Sequence, residues 1–131
     1  MASSKQYEID MYKRALAIGS TPFERLSTLY SGAIRLCKQG LSLATAGDVG
    51  GAAAKAERLT AVVRRLDLCL DFSIAPDLCK NLSQLYVHMQ AQLTSPSIGN
   101  QPEVFTETLG LLETLWDGFK DANRADKSMK G

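Results

Sequence analysis

Residues 48–70 read DVGGAAAKAERLTAVVRRLDLCL, and this stretch decides the fold. Ala52, Ala56, Leu59, Val63, Leu66 and Leu70 follow one another at spacings of 4, 3, 4, 3 and 4. Alternating steps of this kind keep one face of a helix turned toward a neighbouring helix, as in a bundle. A half-buried strand would alternate every second residue instead. The small alanines at the start of the seam allow close helix approach, and Asp48 stands where a side chain caps the first turn. Val62, Cys69 and Phe72 lie beside the seam. The helix is expected to end near Phe72, because Ala75 precedes Pro76 and is biased away from helical angles.

Upstream, Thr21-Pro22-Phe23-Glu24 combines three start signals: a cap, a proline at the first helical position and an acidic residue completing a capping box. Phe23, Leu26, Tyr30, Ala33, Cys37, Leu41 and Ala44 then recur every three or four residues, and Ala46-Gly47 ends the helix. Downstream, a third helix is predicted from about Asp77 to Leu93. Its core positions are Leu78, Leu82, Leu85 and Met89, with Cys79, Tyr86 and Leu93 alongside. Thr94 to Gln101 reads as a loop, punctuated by Pro96, Gly99 and Asn100. A fourth helix begins near Pro102, with Phe105, Leu109, Leu112, Trp116 and Phe119 in one row and Val104, Leu111 and Leu115 in a second. The pattern predicts an all-α fold, an antiparallel up-down four-helix bundle. Residues 1–20 are expected to form a mobile N-terminal arm or short extra helix, 21–125 the bundle, and 126–131 a frayed tail.

The composition agrees. The chain has 131 residues, 18 of them Leu and 15 Ala against 5 Val and 5 Ile, a ratio that favours helix over strand. A chain of this length fits one domain. The net charge of +1 argues against nucleic-acid binding by phosphate neutralisation and against a polybasic membrane anchor. The charge is nonetheless polarised: residues 1–66 carry ten basic and five acidic side chains, residues 67–131 five and nine. Such a split can steer a partner or simply be solvated surface. No segment reads as a signal peptide or a membrane span. Cys37, Cys69 and Cys79 have no metal-like spacing and read as buried structural thiols, which fits a reducing, cytoplasmic setting.

Catalytic chemistry has little to hold. His88 is the one histidine, on a helix of apolar character. Gly47-Asp48-Val49-Gly50-Gly51 lacks the Gly-Lys-Ser/Thr ending of a phosphate loop and reads as a helix-to-helix turn. Asp67 and Asp71, four residues apart, read as a solvated helix face. No catalytic residue, metal ligand or cofactor is expected. Two classes remain on physics alone: a helical module whose apolar grooves accept another protein's helix, and a self-associating structural bundle. Leu29, Ile34, Leu36 and Leu43 on the first helix, with Val62, Leu68 and Phe72 on the second, widen the apolar stripes beyond one seam.

Several residues together resemble the flagellar secretion chaperone family (FliS). Thr21-Pro22-Phe23-Glu24-Arg25-Leu26 followed by Leu29-Tyr30-Ser31-Gly32-Ala33-Ile34 is similar to the family's Ser/Thr-Pro-x-x-x-Leu and Leu-Tyr-Asp-Gly-x-Ile signature. Asn81-Leu82-Ser83-Gln84-Leu85-Tyr86-Val87-His88-Met89 resembles its Asn-Leu-x-x-Leu-Tyr-x-Tyr-Met. The likeness runs from about Tyr12 to Ala122. Ser31, Ala75-Pro76, His88 and Trp116 depart from the pattern. The resemblance implies a cytosolic, non-enzymatic chaperone of the bacterial flagellum. It would bind the C-terminal segment of flagellin, prevent premature polymerisation and deliver the segment to a component of the flagellar type III export gate. A homodimer of the free chain is left open. The partner-binding residues implied are Ile9 and Tyr12 in the arm, Leu29, Tyr30 and Ile34 on the first helix, and Leu85 and Tyr86 on the third.

Overall fold

The computed structural model describes the backbone of residues 22–73 and 75–130 and the side chains of 23–73 and 75–124. The expected arm, with Ile9 and Tyr12, and the Thr21 cap lie outside the described residues. Four helices follow one another: α1 (Pro22–Thr45), α2 (Val49–Leu68), α3 (Pro76–Leu93) and α4 (Pro102–Lys130), with a 3₁₀ turn at Ile98–Asn100. No strand occurs among the described residues. α1 packs on both α2 and α4, α2 also packs on α3, and α3 and α4 touch much less than these three pairs. Cys37 lies against Phe105 while Tyr30, earlier in α1, meets Trp116 and Phe119, later in α4. Those two helices therefore run antiparallel.

The turn between α1 and α2 is as short as the sequence requires. Gly47 takes a φ of 84°, the left-handed conformation that closes a helix at low cost only for glycine. Asp48 accepts a hydrogen bond from the Gly51 amide at 3.0 Å, capping α2 as expected. The seam Ala52, Ala56, Leu59, Val63, Leu66 and Leu70 is buried throughout. On α1 a Cβ at Gly40 would fall inside the Phe105 ring, so the absence of a side chain there lets α4 close onto α1. At the same crossing the Cys37 thiol donates to the Phe105 carbonyl at 3.1 Å.

The structure departs from the sequence reading in several places. α2 ends at Leu68 rather than near Phe72. Asp71 accepts hydrogen bonds from both the amide and the hydroxyl of Ser73, an alternative to helical bonding that short polar side chains offer. Asp67 and Asp71 thus do not form a solvated helix face. Asp71 holds the turn, and Asp67 has a buried Oδ1 with no hydrogen-bond partner. On α3 the innermost row is Cys79, Leu82, Tyr86, Met89 and Leu93, and the expected core positions Leu78 and Leu85 are only half-buried. The steps of 3, 4, 3 and 4 in that row follow the same seam rule as α2. On α4 the buried row includes Thr108, which hydropathy alone passes over. Within the loop before α4, Ile98 to Asn100 form the 3₁₀ turn, which lies on α2 with Ile98 and Gly99 buried.

Candidate functional site

Glu24 and Thr28 lie one turn apart on α1, as do Arg25 and Leu29, so all four share one side of its first two turns. Arg65, Leu68 and Cys69 stand three and four residues apart at the end of α2 and share a face in the same way. Because α1 and α2 are antiparallel neighbours, these two sets meet at one end of the bundle. They line an open groove of about 650 Å³. Leu29, Leu68 and Cys69 supply the apolar and sulfur surface. The Thr28 hydroxyl is satisfied by the Glu24 carbonyl at 3.1 Å.

Leu68 is 77% exposed, the most exposed large hydrophobic side chain among the described residues, and Phe72 just beyond it is 48% exposed. A leucine this bare at the edge of a groove forgoes most of the ~2 kcal/mol its burial would contribute. Cys69 is half-buried, unlike the fully buried Cys37 and Cys79. Burial pushes its thiol up, and the Arg25 guanidinium pulls it partly back, which places a positive charge within reach of the groove floor.

The α1 wall is held from behind by an aromatic cluster. Trp116 of α4 stacks on Phe23 at 5.3 Å and on Tyr30 at 5.5 Å, and Phe119 meets Tyr30 edge-on at 5.6 Å. Across the bundle, the Tyr30 and Tyr86 hydroxyls are hydrogen-bonded at 2.6 Å, with both side chains fully buried. Burial raises both phenols well above their ordinary range, so both are neutral at physiological pH.

The implied partner residues therefore separate. Leu29 lines the groove. Tyr30 and Tyr86 are bonded to each other in the core and present no surface of their own. Ile34 is half-buried against the core further along α1, and Leu85 is half-buried on α3, neither of them in the groove. The groove also contains Arg25, Arg65, Leu68 and Cys69, none of them among the expected contacts. Leu68 had a signal in the excess apolar stripe of the second helix, and the two arginines belong to the basic half of the chain.

The remaining polar groups mostly have structural surroundings. His88 is a surface residue whose Nε2 lies 3.3 Å from Glu107 Oε1, linking α3 to α4. Burial, with the Glu113 charge adding to it, pushes the Cys37 thiol up to about 12, so it is no nucleophile near neutrality. Among the described residues no group of three His, Cys, Asp or Glu side chains is placed to hold a metal ion. Nor is any described helix long and apolar enough to cross a membrane.

The described helices thus form a bundle with an arginine-edged apolar groove between α1 and α2. The chain belongs to the flagellar protein FliS family, whose model matches residues 3–126. It is 25% identical over 101 residues to the flagellar secretion chaperone FliS of Vibrio cholerae, covering 75% of this chain and 74% of that one. No solved structure matches it.

Proposed function

We propose that this chain is a cytosolic chaperone of flagellar secretion. It binds the C-terminal segment of flagellin, keeps it from polymerising and carries it to the flagellar export gate. Family membership supports the class, and the name of the Vibrio cholerae relative supports the secretion role. The observation that carries the binding mode is the groove between α1 and α2, with Leu29 inside it and Leu68 largely bare at its edge. A filament subunit's unassembled terminal segment would be amphipathic, and covering its apolar face removes the surface that starts polymerisation. Ile9 and Tyr12 join the proposal as arm residues that contact the same partner, and Ile34 and Leu85 as contacts outside the groove. Tyr30 and Tyr86 enter only as the support beneath it.

Titration calorimetry tests the reading with the flagellin of the same organism and with that flagellin lacking its C-terminal segment. A segment that folds onto the groove buries apolar area, so binding should show a clearly negative heat-capacity change and disappear on truncation. Undiminished binding after truncation would overturn the proposed segment. Binding to neither form, with the chain associating only with itself, would favour a structural bundle instead.

A further inference from the structure

The groove carries charge as well as apolar surface, and the charge is unspent. Arg25 and Arg65 flank it from opposite helices, and neither has an ion-pair partner among the described residues. Glu24 is the one carboxylate in the lining, and it pairs with neither of them. The surroundings have the same sign: the described α1 and α2 carry Arg35, Lys38, Lys55, Arg58 and Arg64 besides these two, against Glu24, Glu57 and Asp67 and the capping Asp48. α3 is neutral, with Asp77 against Lys80, and α4 carries an acidic excess. A strip of leucine and thiol surface between two unpaired guanidiniums complements a helix with a short apolar stripe flanked by carboxylates.

We infer that the α1–α2 groove selects an amphipathic segment bearing acidic side chains beside its apolar stripe, with Arg25 and Arg65 as the specificity-determining residues. Apolar burial on Leu29, Leu68 and Cys69 provides affinity, and the two arginines set which segments are accepted and in which register. This deepens the reading of the preceding subsection and rests on it for the groove's role as a docking site. It adds the chemical character of the accepted segment.

The test uses two 18-residue amphipathic peptides with the same leucine stripe, one flanked by glutamates and one by lysines, titrated into the full chain and into Arg25→Glu/Arg65→Glu. Solvent-exposed pairs are individually weak, so exchanging two attractive contacts for two repulsive ones should change affinity about tenfold. The wild-type chain should prefer the glutamate peptide by that factor, the double variant should lose or reverse the preference, and Arg25→Lys/Arg65→Lys should keep it. Unchanged helical circular dichroism shows that the variants fold. Equal binding of the two peptides to the wild type, an undisturbed preference in the charge-reversed variant, or binding of neither peptide would each overturn the inference. Flagellin binding is scored separately. A chain that discriminates between the peptides but ignores flagellin refutes the flagellin reading and leaves the groove's selectivity standing. A chain that binds flagellin without discriminating between the peptides does the reverse.

Discussion

The hydroxyl pair at the centre of the bundle makes a sharp prediction. Tyr30 and Tyr86 meet at 2.6 Å with both rings fully buried, and the pair ties α1 to α3 across the core. Either hydroxyl can be the donor in this bond. The Asp67 charge raises the Tyr86 phenol, so the Asp67 carboxylate, whose Oδ1 is buried without a hydrogen-bond partner, lies within electrostatic reach of that hydroxyl. Tyr86→Phe leaves the Tyr30 hydroxyl buried without its partner and should cost about 1–3 kcal/mol. Tyr30→Phe does the same to the Tyr86 hydroxyl and should cost a similar amount, about 1–3 kcal/mol. The double Phe variant removes both polar groups together and should cost no more than the worse single change. The cycle should then return a coupling of about 1 kcal/mol or more. Urea unfolding followed by circular dichroism reads this directly, since a slope of about 1–3 kcal/mol per molar turns these costs into midpoint shifts near 1 M. Strict additivity of the two single changes would refute the reasoning, because it would mean that the hydroxyls do not meet in solution.

Two further perturbations probe the same core. Leu66 sits fully buried between Val63 and Leu70 in the α2 seam, and Leu66→Ala should destabilise the chain by about 2–5 kcal/mol, with an unchanged urea midpoint counting against the seam. The pH dependence follows from the raised groups: Cys37 at about 12 and both core phenols prefer their protonated forms in the folded chain. Their contribution is complete below about pH 8.5, where the unfolded thiol is protonated too, and is lost as the pH rises toward 12. Urea midpoints measured from pH 8 to pH 11 should fall steadily, and less steeply in the double Phe variant; a flat profile would contradict the buried environment.

The helix order, the α2 seam and the Asp48 cap were legible because each rests on contacts within a few residues. The 3,4 spacing of Ala52 to Leu70 specifies a buried face whatever lies opposite. Gly47 marks a turn because a left-handed φ excludes side chains locally. The central row of α3 was harder to read. Leu78 and Leu85 are as apolar as Leu82, and only the position of α2 decides that Cys79 and Tyr86 point inward while the two leucines flank. Thr108 and Asp67 are similar cases, polar by type yet turned inward by the helices around them.

The candidate site divides in the same way. By itself the sequence determined a four-helix bundle, a family likeness and a surplus of apolar residues on the first two helices, since periodicity and motif order are properties of a single chain. Only the tertiary structure decided which of the implied contacts are available. It placed Tyr30 and Tyr86 in the core, where their hydroxyls satisfy each other. It brought Arg25 and Leu29 beside Arg65 and Leu68, residues about 40 positions apart in the chain. A groove between antiparallel helices depends on their register and on which side chains meet across the gap. Those quantities arise from packing, because a residue's exposure depends on what lies next to it in space as well as on its own hydropathy.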